Sequence, residues 1–152
     1  AEDDLWDHSK LQKQFSTPIC LDESILSARH ARQAIEMQAC KVINIKTGRV
    51  GGLVEALSIH NLCYAKGIPV WCGGMLETGI GRAANLAIAS LPGFSLQGDL
   101  SATDRYYDED ITNERFTLNP DSSIHVPTEP GLGISINRYH LEKYCLSKLS
   151  IH

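Results

Sequence analysis

The chain has 152 residues, 43% of them hydrophobic and 21% charged, enough apolar material for one ordinary folded domain and no signature of disorder. A formal charge of −4 with no run of Lys or Arg excludes the electrostatic footprint of a nucleic-acid or anionic-membrane binder. No apolar run approaches the roughly 20 residues of a membrane span, and Ala1-Glu2-Asp3-Asp4 is no signal peptide.

The polar opening segment reads as a loop that follows an earlier element, and the missing initiator Met gives the expectation that the gene starts upstream. The apolar run Pro18 to Leu21 predicts a first strand. Ser27 then caps a helix with Ala28, Ala31, Ala34 and Ile35 on its apolar face, running to about Gln38. A second strand covers Val42 to Lys46. Gly51-Gly52 opens a helix whose stripe is Leu53, Ala56, Leu57, His60 and Tyr64, stopped by Gly67 with Pro69 beyond. The third strand is Ile68 to Cys72, the third helix runs from about Thr78 to Ser90, and a fourth short strand fits Phe94 to Leu100. Further on, Phe116 to Leu118 and Ile124 to Val126 around Asn119-Pro120-Asp121-Ser122 predict a small hairpin, and Asn137 to Leu149 a terminal helix. Short apolar strands alternating with helices indicate an α/β fold with buried parallel strands.

Five cysteines, with no C-x-x-C pair and four of them inside apolar segments, read as free buried thiols in a reducing cytoplasm. Cys72 ends a strand but has no His placed to activate it. His60 reads as a packed helix residue, and the other histidines lack metal-ligand spacing. Gly79-Ile80-Gly81 lacks the third Gly and the ribose-binding acid of a dinucleotide fingerprint.

The residues that stand out are Asp22 and, 24 positions later, Lys46. Each closes an apolar strand at its carboxyl end, where functional groups of parallel sheets collect. An Asp-Glu pair after a strand is ordinarily solvated, and Lys46 in a Lys-x-Gly-Arg loop would ordinarily be a surface lysine. Glu23 points opposite to Asp22 if the strand alternation continues. Gly73-Gly74-Met75 precedes a helix N-terminus near Thr78, so its backbone N–H groups are expected to cradle a substrate carboxylate. Glu77 is read as orienting that loop or capping its helix.

Leu21-Asp22-Glu23-Ser24 with Lys46, Gly48-Arg49-Val50-Gly51-Gly52, the run Pro69 to Arg82 and Gly98-Asp99-Leu100-Ser101 together closely resemble the enolase superfamily. Within it they resemble the o-succinylbenzoate synthase and N-succinylamino acid racemase group, over about Ala1 to Gly133. The resemblance implies that residues 1–152 are the C-terminal portion of a (β/α)7β TIM-type barrel domain, with a small C-terminal hairpin and helix. The capping domain and first barrel strands would precede Ala1. It further implies that Asp22 is one of three carboxylate ligands to Mg²⁺, that Lys46 is the sixth-strand catalytic lysine, and that Gly73, Gly74 and Met75 contact the substrate.

The function so implied is Mg²⁺-dependent dehydration to o-succinylbenzoate in menaquinone synthesis, acting on a small carboxylate through an enediolate. The alternative on the same site is racemisation of N-succinylamino acids. A third reading is a noncatalytic piece stabilised by association with a missing N-terminal half or with a second copy. Half a parallel barrel leaves two strand edges unpaired and an inner face lined, depending on register, by Ile19, Ile43 and Val70 or their neighbours.

Overall fold

A computed structural model, described over residues 1–150, places three short parallel strands in one sheet, in the order β1 (Cys20–Leu21), β2 (Val42–Ile45), β3 (Val70–Cys72). Cys20 pairs with Val42 and Leu21 with Ile43; Ile43, Asn44 and Ile45 pair with Val70, Trp71 and Cys72. Side chains alternate along a strand. Leu21, Ile43, Ile45 and Val70 therefore share the face buried in the main core, with Ala31, Ala34, Ala56, Ile59 and Cys63 from the covering helices. Of the alternatives for the inner lining, this register selects the neighbours: Ile43 and Val70 face the helices. The opposite face carries Cys20, which is exposed, with Asn44 and Trp71.

The first covering helix, α2 (Ala28–Glu36), begins where Ser27 accepts the His30 N–H at 3.3 Å, satisfying one of the unpaired donors of the first turn. The second, α4 (Leu53–Lys66), stops at Gly67, whose φ of 66° is the left-handed conformation that glycine adopts without a Cβ penalty. Its buried stripe is Ala56, Ile59, His60 and Cys63, while Leu57 and Tyr64 are exposed. The expected stripe was rotated: the spacing 56, 59, 60, 63 is the i, i+3, i+4, i+7 face that meets the sheet. His60 packs inside, stacked on Phe94 at 5.6 Å and Tyr64 at 5.8 Å, with Nε2 2.5 Å from the Pro92 carbonyl oxygen.

Two helices lie outside the elements expected from the sequence, α1 (Leu5–Gln14) and the single-turn α3 (Thr47–Val50). Asp4 caps α1 by accepting the Asp7 N–H at 2.9 Å. Buried Gln12 then links the helix to β1: its amide donates to the Phe15 and Thr17 carbonyls and accepts the Ile19 N–H at 2.7 Å. The third helix, α5 (Gly79–Ala89), lies where expected.

Beyond it, the run Phe94 to Leu100 touches the sheet only at the parallel bridges Val70↔Phe94 and Gly73↔Asp99, so it forms no continuous strand. The expected hairpin is reduced to one antiparallel bridge, Leu118↔Ile124, beside a turn in which Asn119 donates to the Ser123 carbonyl at 2.8 Å. The terminal helix α6 (Arg138–Lys143) ends well before Leu149, because Leu146 and Leu149 are exposed and supply no buried face to extend it. A second, smaller core gathers Ala83, Leu86 and Phe116 beneath this C-terminal part. Among the described residues no helix is long and apolar enough to cross a membrane.

Candidate active site

Asp22 follows β1 directly and Lys46 follows β2, as the residue that caps α3. Because the two strands are adjacent and parallel, both side chains emerge at one edge of the sheet. Lys46 Nζ lies 2.9 Å from Asp22 Oδ2 and 3.8 Å from Glu23 Oε1. Arg49, one turn after Lys46 on α3, takes the other oxygen of the same carboxylate, pairing Nη1 with Asp22 Oδ1. The Lys46, Asp22 and Arg49 side chains are 17%, 27% and 10% exposed, whereas Glu23 is 61% exposed. The pair is therefore sheltered and Glu23 stands at its rim.

Arg49 is a site residue that stands in the sequence only as part of the Gly48-Arg49-Val50-Gly51-Gly52 motif. Its Nη2 donates to the Asn44 carbonyl at 2.6 Å and its Nε to the Ile25 carbonyl at 3.0 Å, so the guanidinium ties β2 to the loop that follows β1. Burial lowers its pKa, but a guanidinium stays charged at neutral pH. Beyond that motif, its sequence signal is the i+3 spacing from Lys46, which has meaning only if residues 47–50 are helical.

The third strand brings Gly73 against the same edge. A Cβ on Gly73 would lie 2.7 Å from Lys46 Cε and 2.5 Å from Asn44 Nδ2, so only glycine leaves this space to the lysine stem. Asn44 is fully buried there, and among the described residues neither atom of its side-chain amide has a hydrogen-bond partner.

The backbone of the next loop differs from the expected open cradle. Gly74 N–H donates to the Asp99 carbonyl at 2.9 Å, and Met75 N–H donates to both Glu77 carboxylate oxygens, at 2.9 and 2.8 Å. Gly79 N–H, at the start of α5, donates to Asp110 Oδ2 at 2.8 Å. A helix N-terminus attracts anions, and here the chain's own carboxylates fill the position.

Of the five free cysteines, Cys40, Cys63 and Cys72 are buried as expected, whereas Cys20 and Cys145 are exposed. Burial pushes the thiol pKa of Cys72 up to about 12, which leaves it protonated and inert beside the site.

A carboxylate between two cations at the mouth of a parallel sheet can hold an ion or a polarised substrate, and a sheltered amine beside it can carry charge or move a proton. A carboxylate offers about four lone-pair positions, so Asp22 can accept from Lys46 and Arg49 and still give a hard oxygen ligand to a divalent cation. Among the described residues no group of three His, Cys, Asp or Glu lies together to hold a metal, so these residues fit one corner of a coordination shell.

Comparison with known proteins identifies the family. The profile of the Enolase C-terminal domain-like family matches residues 1–140. An N-succinylamino acid racemase from Amycolatopsis sp. is 58% identical over 134 residues, covering 88% of this chain and 36% of the relative. An o-succinylbenzoate synthase from Bacillus subtilis is 54% identical over 142 residues, covering 93% of this chain and 38% of the relative. The crystal structure of an enolase superfamily member from Listeria innocua superposes with a TM-score of 0.91 at 45% identity, over 97% of this chain and 39% of that one. The chain thus spans less than two-fifths of the length of each of these relatives. It belongs to the enolase superfamily, as an enolase C-terminal domain-like chain.

Proposed function

We propose that the full-length protein is an o-succinylbenzoate synthase of menaquinone synthesis, and that this chain supplies the carboxyl-terminal strands of its (β/α)7β barrel. The ion pair of 2.9 Å between Lys46 and Asp22, at the ends of adjacent parallel strands, is the observation that most directly supports it. Relatives at 54% and 58% identity that carry the synthase and racemase names support the substrate class, a small molecule with a carboxylate beside the reacting carbon.

A proton alpha to a carboxylate is far too weakly acidic for an unaided base, so the charge that develops on the substrate must be stabilised as it forms. Asp22 is the residue of this chain that would hold Mg²⁺, with carboxylates from elsewhere in the full-length protein. Bound there, the ion would stabilise negative charge on the substrate carboxylate. Lys46 stands beside that place with its stem confined by Asn44 and the bare backbone of Gly73. Its positive charge would stabilise the anionic intermediate of a dehydration. Arg49 holds Asp22 from the opposite side, so the carboxylate keeps its orientation as Lys46 moves toward substrate. Gly73, Gly74 and Met75 would contact the substrate by close approach, since the N–H groups of Gly74 and Met75 are already bonded. Glu23 and Glu77 act in support, Glu23 as a rim charge near Lys46 and Glu77 through the Met75 amide.

A second reading is racemisation of N-succinylamino acids, favoured by the relative of that name at 58% identity. There Lys46 would be obligatory, exchanging a proton on one face of the alpha carbon. The test is to supply the purified full-length protein and Mg²⁺ with the cyclohexadiene precursor and, separately, with each enantiomer of an N-succinylamino acid. Mg²⁺-dependent formation of o-succinylbenzoate is the expected result. Racemisation without dehydration would transfer the assignment to the second reading, and neither activity would remove both.

A further inference from the structure

One face of α5 carries polar residues that touch the site loops without entering the site. Asn85, fully buried, donates its Nδ2 to Glu77 Oε1 at 2.8 Å and accepts at Oδ1 from the hydroxyl of Thr47. Thr47 is the residue after Lys46 and the first of α3. The Glu77 carboxylate in turn receives the Met75 N–H on both oxygens. A continuous path of hydrogen bonds therefore runs from the turn that bears Lys46, through α5, to the backbone of the 73–78 loop.

The neighbours of the path are fitted to it. A Cβ on Gly81 would lie 2.8 Å from Glu77 Cγ, so glycine leaves room for Glu77 to fold back over the first turn of the helix. Arg82, 1% exposed, donates Nη2 to the Glu77 carbonyl at 3.0 Å and Nη1 to the Ser101 carbonyl, tying the following loop to the same hub. The direction of the path is fixed by chemistry. A threonine hydroxyl that donates to Asn85 Oδ1 turns the amide N–H toward Glu77, and a carboxylate there has no donor of its own to conflict with the Asn85 and Met75 N–H groups.

Burying Thr47 and Asn85 between two loops costs desolvation that apolar packing would avoid, and the hydrogen bonds from Thr47 to Asn85 and from Asn85 to Glu77 repay it in defined geometry more than in stability. The loops it joins are the two that flank the proposed substrate position. We propose that Thr47, Asn85 and Glu77 are positioning residues, which lock the Lys46 turn to the 73–78 loop and so fix the distance between the amine and the substrate face. The inference rests on Lys46 exchanging the alpha proton on one face, the role given to it in the second reading above. Misplacing a reacting group by about 1 Å is enough to cost on the order of a hundredfold in rate.

The test uses the full-length protein with Thr47→Val, which keeps the shape and removes the donor, and Thr47→Ser, which keeps the hydroxyl. Exchange of the alpha proton from D₂O is followed for each enantiomer of an N-succinylamino acid, alongside amide hydrogen exchange of the 73–78 loop. Thr47→Val is expected to lower kcat by roughly ten- to a hundredfold on the face that Lys46 serves, with KM and the opposite face changed by less than about threefold. The same variant speeds amide exchange in the 73–78 loop, and Thr47→Ser recovers both properties. Glu77→Gln, which sets an N–H where the carboxylate accepted, gives the same pattern and stands in if Thr47→Val does not fold. Equal loss on both faces, or unaltered loop amides in either variant, would overturn the proposal. If the unmodified protein exchanges neither enantiomer, the acid/base role of Lys46 in the second reading is wrong, and the loop amides alone decide whether the coupling exists.

Discussion

Lys46 and Asp22, 24 positions apart in sequence, meet at 2.9 Å because β1 and β2 run side by side in the same direction and both end at one edge of the sheet. Arg49 shares the same carboxylate, so Asp22 is the centre of a three-membered charge cluster.

Asp22→Asn would leave Lys46 and Arg49 as neighbouring cations with no anion between them. With all three side chains mostly buried, the change should cost about 2 kcal/mol of stability, between the values for exposed and fully buried pairs. It should also weaken Mg²⁺ binding by the full-length protein. Calorimetric titration with Mg²⁺ and urea unfolding measure the two effects, and an unaltered affinity would remove Asp22 from the ligand set.

Gly73→Ala tests the close packing around Lys46. The added methyl meets Lys46 Cε and the Asn44 amide, and overpacking of this kind typically costs about 1–3 kcal/mol. Because the yielding group is the lysine stem, turnover should fall far more than the unfolding midpoint. A variant that loses stability but keeps its rate would mean that Lys46 is not held by this contact.

The elements written in local chemistry were legible: the Ser27 cap, the Gly67 stop and the strand-end positions of Asp22 and Lys46. What escaped depended on distant partners. Helix α1 buries Ser9 and Gln12, polar residues that carry no hydrophobic period, and Gln12 is satisfied only by the backbone of residues 15, 17 and 19. The amides near α5 looked free for a ligand because Asp110 lies 31 positions from Gly79, and the Thr47–Asn85 contact spans 38. The stripe of α4 differs from its apolar pattern because Leu57 and Tyr64 are apolar enough to suggest burial, while the sheet selects Ile59 and Cys63. Apolar character in Phe94 to Leu100 suggested a strand, yet only Phe94 and Asp99 reach the ladder.

The buried thiols give a pH dependence of known sign. Burial raises Cys40, Cys63 and Cys72 from the ordinary 9.0 to about 12. Above pH 9 the unfolded chain releases these protons while the native one retains them, so their contribution is complete below about pH 9 and is lost progressively toward about pH 12. The urea midpoint should fall across that window, less steeply in Cys63→Ala than in the unmodified protein. Parallel curves for the two proteins would contradict the burial of Cys63 as a neutral thiol.

Strand β1 pairs on one side only, and the sheet face bearing Cys20 and Trp71 is incompletely covered. An unpaired edge of this kind pairs with whatever is available. The isolated 152-residue chain should therefore associate at micromolar concentration, with itself or with the remainder of the protein, and should show no turnover alone. Sedimentation combined with a dehydration assay checks both parts; a stable, active monomer would contradict them.

The central claim is that Lys46 is the group of this chain that acts on the substrate at the sheet edge. Face-resolved exchange from D₂O in the full-length Lys46→Ala variant tests it most directly. Loss of alpha-proton exchange from one enantiomer of an N-succinylamino acid, with exchange retained from the other, is the predicted result. Unchanged exchange from both enantiomers, with the rate of dehydration also unchanged, would contradict it.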